Sequence, residues 1–319
     1  MKVSVVLIAH NITEKIDSSL NSVLNQDFVD YEVVVVDDGS TDNTAEKVKR
    51  YPVTLVRQKN EGVPAARNAG ARVSKGDVII FLDGDCVVQS DFIEKMVEPF
   101  QKPKISMTQG YIDIANPGSL VARLIFMKAR YLFQNLEYLD FAWGGCIAVR
   151  SSLFRQLGGF NTRWKHSEDK ELSRRILKQG YAIYLVKEAK FLHPFVESLF
   201  KHLSRHARTA REMTRWVIST KRYTTQHTNS AEYFRLIVHG LTLLSLFVIS
   251  WSWVPFLILL AVSLATHLKL AWWAMGKDLK YILIIPFEFL TKLSWVVGSV
   301  LGLGDLLLRR ESDWKVDFS

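Results

Sequence analysis

Three short apolar runs constrain this chain more than any other feature: Val3–Ala9, Glu32–Val36 and Val78–Leu82. Each is rich in β-branched residues and ends in polar turn residues. A helix-like pattern follows each, as at Ser18–Leu24, Thr44–Tyr51 and Asp91–Phe100. Runs without polar alternation are what strands covered on both faces require. Strand and helix alternating in this way predict βαβ units, hence an α/β fold with a mainly parallel sheet and right-handed crossovers. Such sheets bind ligands at the carboxyl ends of their strands, so the loops after these runs are where chemistry is expected.

The opening MKVSVVLIAHN has an apolar run too short for a signal-peptide core and predicts a first buried strand. Beyond Phe100 the pattern loosens. Ser119–Tyr138 is amphipathic and basic on its polar side, and reads either as a helix covering the sheet or as a surface facing lipid or acceptor. Gly144–Phe160 predicts a strand, a short helix and a glycine turn; Glu168–Gln179 predicts a helix and Tyr184–Val186 a strand. Cys86 and Cys146 sit in apolar stretches without CxxC spacing, which predicts buried thiols rather than a disulfide or a zinc site.

The 319 residues leave room for an appendage beside a domain of about 200–250 residues. Between Arg235 and Lys269 lie 33 consecutive residues without Asp, Glu, Lys or Arg, which reads as membrane-spanning. As one helix they would be about 50 Å long against a hydrocarbon core of about 30 Å. Spans are therefore expected near 233–251, 253–273 and 282–307, two or three in number, with a break at the SWSWVP sequence of residues 250–255. The net charge of +9 is concentrated: from Glu197 to Arg235 eight Lys/Arg stand against three acids. Glu197–Thr220 repeats Leu199, Leu203, Ala207, Ala210, Met213 and Val217 at helical spacing, so a basic amphipathic helix lying in the membrane plane is expected. Its charge next to an apolar segment favours lipid over nucleic acid as partner and places the catalytic part on the cytoplasmic side of a multi-pass protein in the cell membrane. The expected domains are 1–195, a catalytic domain; 196–230, the interfacial helix; 231–308, the membrane region; and 309–319, a tail.

Four constellations carry chemistry. In VVVVDDGSTD, Asp37 and Asp38 end a buried run and can accept hydrogen bonds from a ring N–H, while Asp42 reads as an Asx turn capping a helix. In FLDGDC, Asp83 and Asp85 flank Gly84 at another strand end and can hold a hard divalent cation, which would neutralise a diphosphate leaving group. In NEGVPAARNAG, Arg67 on a small-residue helix can bring a cation to a base or diphosphate. In HSED, Glu168 and Asp169 open a helix, where the dipole favours carboxylates and one of them can act as a general base. His193, before Pro194, reads as a loop histidine satisfied by its surroundings rather than a metal or phosphate contact.

These segments, with VSVVLIAHN before them and GGCIAVR…LGGF between the last two, stand in the order and spacing of family-two, GT-A-fold inverting glycosyltransferases. The chain resembles that family over about residues 1–195. The resemblance implies a nucleotide-diphosphate sugar, UDP- or GDP-linked, as donor. It places Asp38 and Arg67 on the nucleotide base, Asp83 at the ribose, Mn²⁺ or Mg²⁺ on Asp85, and the catalytic base at Asp169. Ala9, Asn11 and Gly84 fall on the donor side. The first loop departs from the family's Pro-x-Tyr-Asn-Glu, reading Ala9-His10-Asn11 and then Ile12. Gly145 and Glu168 fall on the acceptor and diphosphate side. Arg215 and Trp216 join them, because Glu212–Trp216 resembles the Q-x-x-R-W of membrane-bound synthases with Glu in place of Gln.

A polyprenyl phosphate acceptor needs no base, whereas a hydroxyl does. The ED pair, which polyprenyl-phosphate relatives typically lack, favours a hydroxyl on a lipid-linked glycan or glycolipid. Polyprenyl-phosphate transfer is the alternative, and a processive polysaccharide synthase comes behind it. A non-enzymatic binding protein should show degraded acidic motifs, and a nucleotidyltransferase a glycine-rich basic loop after the first strand; neither is present. Self-association is compatible with the sequence.

Overall fold

The computed structural model describes residues 1–165, 167–220, 238, 241–242 and 254–307. It divides into two units: Met1–Pro117 with Phe133–Phe195, and Gly118–Leu132 with Val196–Ser319.

In chain order the first unit begins with β1 (Val3–Ala9), α1 (Ile16–Leu24), β2 (Tyr31–Asp38), α2 (Thr44–Val48) and β3 (Thr54–Gln58). It continues with α3 (Val63–Val73), β4 (Val78–Asp83), β5 (Val87–Val88), α4 (Phe92–Val97) and β6 (Ile105–Ile114). After α5 (Leu120–Phe133) come β7 (Tyr138–Leu139), β8 (Cys146–Arg150), α6 (Ser151–Gln156), α7 (Glu168–Lys178) and β9 (Ala182–His193). One sheet runs β3-β2-β1-β4-β8-β6-β9-β5, with β7 on β9. The β3-β2-β1-β4 half is parallel, as the βαβ pattern predicts, and β8 then runs antiparallel to both β4 and β6. Ala9 pairs with Asp37 and Ile8 with Asp83, so β2 and β4 deliver their carboxylates to one edge, on either side of β1.

The ten-residue β6 does not stand out in sequence. Its ISMTQGYIDI carries Ser106, Thr108 and Gln109, all buried, where an apolar run is expected. Thr108 donates to the Met96 carbonyl and Gln109 Oε1 accepts from the Trp143 N–H inside the core, whereas the Ser106 hydroxyl is buried without a hydrogen-bond partner. Both cysteines are free and buried, as expected.

In the second unit α8 (Leu199–Thr220) is followed by α9 (Val254–Ala265), α10 (Leu268–Met275), a 3₁₀ turn at Leu279–Leu283 and α11 (Ile284–Leu307). Its apolar cluster corrects one expectation. Leu124 and Met127 of α5 pack with Leu270, Ala274, Ile284 and Phe287, and Lys128 pairs with the buried Glu288 at 2.6 Å. The greater part of this amphipathic helix therefore belongs with the C-terminal helices rather than covering the sheet. The span expected near 233–251 lies outside the described residues, apart from 238, 241 and 242. The span near 253–273 is not one rod: Leu257–Ala265 and Leu268–Met275 meet at a 50° bend. Among the described residues one helix, Leu279–Asp305, is long and apolar enough to cross a membrane.

Candidate active site

Arg67 sits where α3 faces the ends of β4 and α7, and it is 2% exposed. Nη1 donates to Glu168 Oε1 at 2.9 Å, and Nη2 donates to Asp83 Oδ1 at 3.1 Å and to the Gly144 carbonyl at 2.5 Å. The planar fork suits this geometry, since two carboxylates and a carbonyl are reached from one rigid group. The ring of Phe160 lies 5.4 Å from the guanidinium carbon. Arg67, placed at the nucleotide base by resemblance, is buried with Nη1 and Nη2 on these partners, while its Nε is buried without a hydrogen-bond partner.

Gly144 ties this network to Asp169. Its N–H donates to Asp169 Oδ2 at 2.8 Å while its carbonyl receives Arg67. A Cβ here would fall 2.7 Å from Arg67 Nη1, so the loop passes the guanidinium only as glycine. Asp169 Oδ1 accepts the Lys170 N–H, and the carboxylate stays half-buried in the first turn of α7. Glu168 beside it is buried. Burial and the neighbouring Asp169 push its carboxyl up to about 7, against the pull of Arg67. Gly145 follows with its carbonyl on the Asp83 N–H at 3.1 Å.

At the β2 end Asp38 is 4% exposed and accepts from the Glu61 and Gly62 N–H groups, both at 2.9 Å, and from Gln58 Nε2 at 2.8 Å. Asp37 accepts from Arg57 Nε and the Ser40 N–H. These carboxylates therefore shape the loops around a ligand position. Gly39, at φ 73°, has the Asn60 nitrogen 2.6 Å from where a Cβ would stand, which brings the β2 and β3 loops together. His10 Nδ1 donates to the Asp38 carbonyl oxygen at 2.9 Å, and Asn11, itself at φ 52°, accepts the Thr41 N–H at 2.8 Å. Ala9 is buried at the end of β1. Asp42 forms the expected Asx turn on the Thr44 N–H; although burial opposes it, that bond and the Thr13 N–H hold its carboxyl at about 2.

The Gly84 N–H donates to the Ile8 carbonyl, which fixes the turn between Asp83 and Asp85. Burial would raise Asp83, but the His193 imidazole, 3.7 Å away, and Arg67 hold it below the usual carboxylate range. Asp85 is raised by burial and by Asp83, with His193 and Lys15 opposing. Asp85, Cys86 and His193 bring one ligand atom each within 4.8 Å of one another. Burial holds the Cys86 thiol well above its ordinary value, so it stays protonated and is no ligand for a hard cation. His193 Nδ1 is buried without a hydrogen-bond partner. An oxygen of Asp85 and a nitrogen of His193 fit Mn²⁺ or Mg²⁺ that takes its remaining ligands from a diphosphate. This corrects the reading of His193 as a satisfied loop residue: it ends β9 at the site.

His193, His10, Gln58 and Gly144 are thus site residues that sequence reasoning passed over or underweighted. His193 alone carried a signal, its position before Pro194. His166 is outside the described residues. Arg215 and Trp216 lie in α8, but their side chains are outside the described residues.

Residues 4–158 match the family described as Glycosyl transferase family 2. The UDP-Glc:alpha-D-GlcNAc-diphosphoundecaprenol beta-1,3-glucosyltransferase WfgD of Escherichia coli is 31% identical over 183 residues, 56% of this chain and 70% of WfgD. Glycosyltransferase AglE of Haloferax volcanii is 26% identical over 202 residues, 60% of this chain. The chain spans 66% of the AglE length, just under two thirds. Among solved structures, the mannosyltransferase PcManGT of Pyrobaculum calidifontis, in complex with GDP-Man and Mn²⁺, shares the fold. Its TM-score is 0.64 at 19% identity, over 97% of this chain and 88% of that one.

Proposed function

This chain belongs to glycosyl transferase family 2, and from that premise we propose that it moves one sugar from a nucleoside-diphosphate sugar onto a hydroxyl of a lipid-linked glycan or glycolipid at a membrane. The observation that carries this reading is the Asp83–Arg67–Glu168 bridge, with Gly144 joining it to Asp169. It holds the carboxylates of the β4 end and those of the α7 start in one rigid frame. A donor-side group and a candidate base are thereby kept at a set separation, which is what positioning catalysis requires.

The donor sits at the carboxyl edge of the sheet, between the loops that Asp38, His10 and Asn11 hold together. Asp85 and His193 would hold a divalent cation, which when bound supplies neutralising charge to the leaving diphosphate. Asp169, oriented by the Gly144 N–H, accepts the proton of the acceptor hydroxyl as its oxygen bonds to the anomeric carbon. The bond from that carbon to the diphosphate oxygen breaks on the opposite face, so configuration inverts and a nucleoside diphosphate departs. A hydroxyl acceptor on a diphosphate-lipid is favoured by the presence of Asp169 and by the acceptor in the WfgD name. The apolar C-terminal helices and the basic α8 support attachment to the cytoplasmic face of the cell membrane.

A donor screen on detergent-purified full chain tests the reading. Nucleoside-diphosphate release should require one donor, Mn²⁺ or Mg²⁺, and a diphosphoundecaprenol-linked sugar as acceptor. Release that is indifferent to this acceptor but stimulated by undecaprenyl phosphate would instead select the lipid-phosphate alternative.

A further inference from the structure

α8 and α11 run side by side in the same direction. His202 meets Thr291 at 3.1 Å and Trp295 Nε1 donates to His206 Nδ1 at 2.7 Å, each pair 89 residues apart. Further along, Arg211 makes two bonds of 2.6 Å to Asp305, 94 residues away. Partners that advance together along both helices, at separations of 89 to 94 residues, mean that the axes run in the same direction. Between these contacts a Cβ on Gly298 would collide with the Ala207 carbonyl, and one on Gly302 would stand 2.7 Å from the Arg211 carbonyl. The two backbones therefore touch along this stretch.

That pairing bears on how α11 meets a membrane. By length and composition Leu279–Asp305 qualifies as a span. If it crossed, α8 would cross beside it, carrying Lys201, Arg205 and Arg208, all exposed, through the hydrocarbon. Charged groups exposed to lipid at that depth are strongly disfavoured. The charges recur at intervals of four and three and form one face of α8. On α11 and the last residue of the turn before it a different face is exposed and apolar: Leu283, Leu290, Val297 and Leu301, between 37% and 50% exposed, at intervals of seven and four, with exposed Val300 and Leu303 broadening it. It is separate from the row of Thr291, Trp295, Gly298 and Gly302 that meets α8.

We propose that α8 and α11 lie together in the plane of the membrane surface, and that α11 does not cross. The α11 stripe enters the boundary between headgroups and acyl chains, and Lys201, Arg205 and Arg208 face anionic phosphates. A basic polar face beside an apolar stripe is the pattern of helices that lie in the interface. The inference rests on the membrane attachment proposed above and narrows it, leaving any crossing to the other apolar segments.

The test uses the full chain in phosphatidylcholine–phosphatidylglycerol vesicles. Nitroxide labels are attached at Leu283→Cys, Leu290→Cys, Val297→Cys and Leu301→Cys, one at a time, with Arg205→Cys as reference. All five positions are exposed, so the fold should tolerate them, and the unsubstituted chain with its two buried cysteines sets the background. Depth is read from relative accessibility to oxygen and to a water-soluble nickel chelate. The expected result is one shallow depth at all four apolar positions, with Arg205→Cys in the aqueous phase. A depth that passes through the bilayer centre between Leu283 and Leu301 overturns the proposal and makes α11 a span. Failure of the chain to sediment with vesicles overturns membrane attachment itself, and with it this docking.

Discussion

The Gly144 N–H lies 2.8 Å from Asp169 Oδ2, so the carboxylate proposed as base is held by the same loop whose carbonyl receives Arg67. A change on either side of that loop should therefore be felt on the other, whereas donor binding at the β2 end should be largely insulated from it.

Asp169→Asn keeps the shape and can still accept the Gly144 N–H, but it cannot take a proton. Transfer should fall by about 10²–10⁴-fold, while donor and cation affinity stay near normal. Measuring both on one preparation separates the acceptor classes: near-normal transfer would mean that a phosphate oxygen, which needs no base, is the nucleophile.

Arg67→Met leaves two carboxylates without their counter-charge. The loss should be about 3–5 kcal/mol of stability, mostly from buried Glu168, because Asp83 is about a third exposed and water screens it. Adding Glu168→Gln to Arg67→Met should recover part of the loss, since the pair is coupled. Chemical denaturation of the single and double variants checks this; simple additivity would disprove the bridge.

Glu168 also sets a pH dependence. Its carboxyl titrates at about 7 in the fold against an ordinary 4.5. Between these values the folded chain keeps a proton that the unfolded chain has released, so stability is fullest below about 4.5 and falls as pH rises through about 7. Thermal unfolding of the detergent-solubilised chain should show that decline, and Glu168→Gln should flatten it. An equal slope in both proteins would remove Glu168 from the account.

For the cation, chelation should abolish donor affinity, and Mn²⁺ or Mg²⁺ should restore it. His193→Ala should raise the Mn²⁺ concentration needed for half-maximal donor binding. Cys86→Ser should leave that concentration unchanged, because its thiol stays protonated. A titration unaffected by His193→Ala would remove His193 from the cation site.

Much of the catalytic unit is readable along the chain. β1, β2 and β4 declare themselves because strands covered on both faces cannot alternate with polar residues, and the terminal carboxylates of β2 and β4 then fall at one edge. β6 stays hidden for the converse reason: Thr108 and Gln109 look exposed until their partners on α4 and before β8 are known. The amphipathic pattern of α5 is readable too, but amphipathicity names a face and not its partner.

Local pattern by itself determined the α/β architecture, the carboxylates at the ends of β2 and β4, the acidic start of α7 and the basic character of α8. Each of these depends on neighbours within a strand or one helical turn, and that information is continuous in sequence. Only the tertiary structure decided that Arg67 bonds Glu168, 101 residues away, that His193 stands beside Asp83, and that α8 lies along α11. The partner of a buried charge, or the surface that a small-residue face touches, is chosen when distant segments pack and the groups must be satisfied together. No spacing along the chain records that choice.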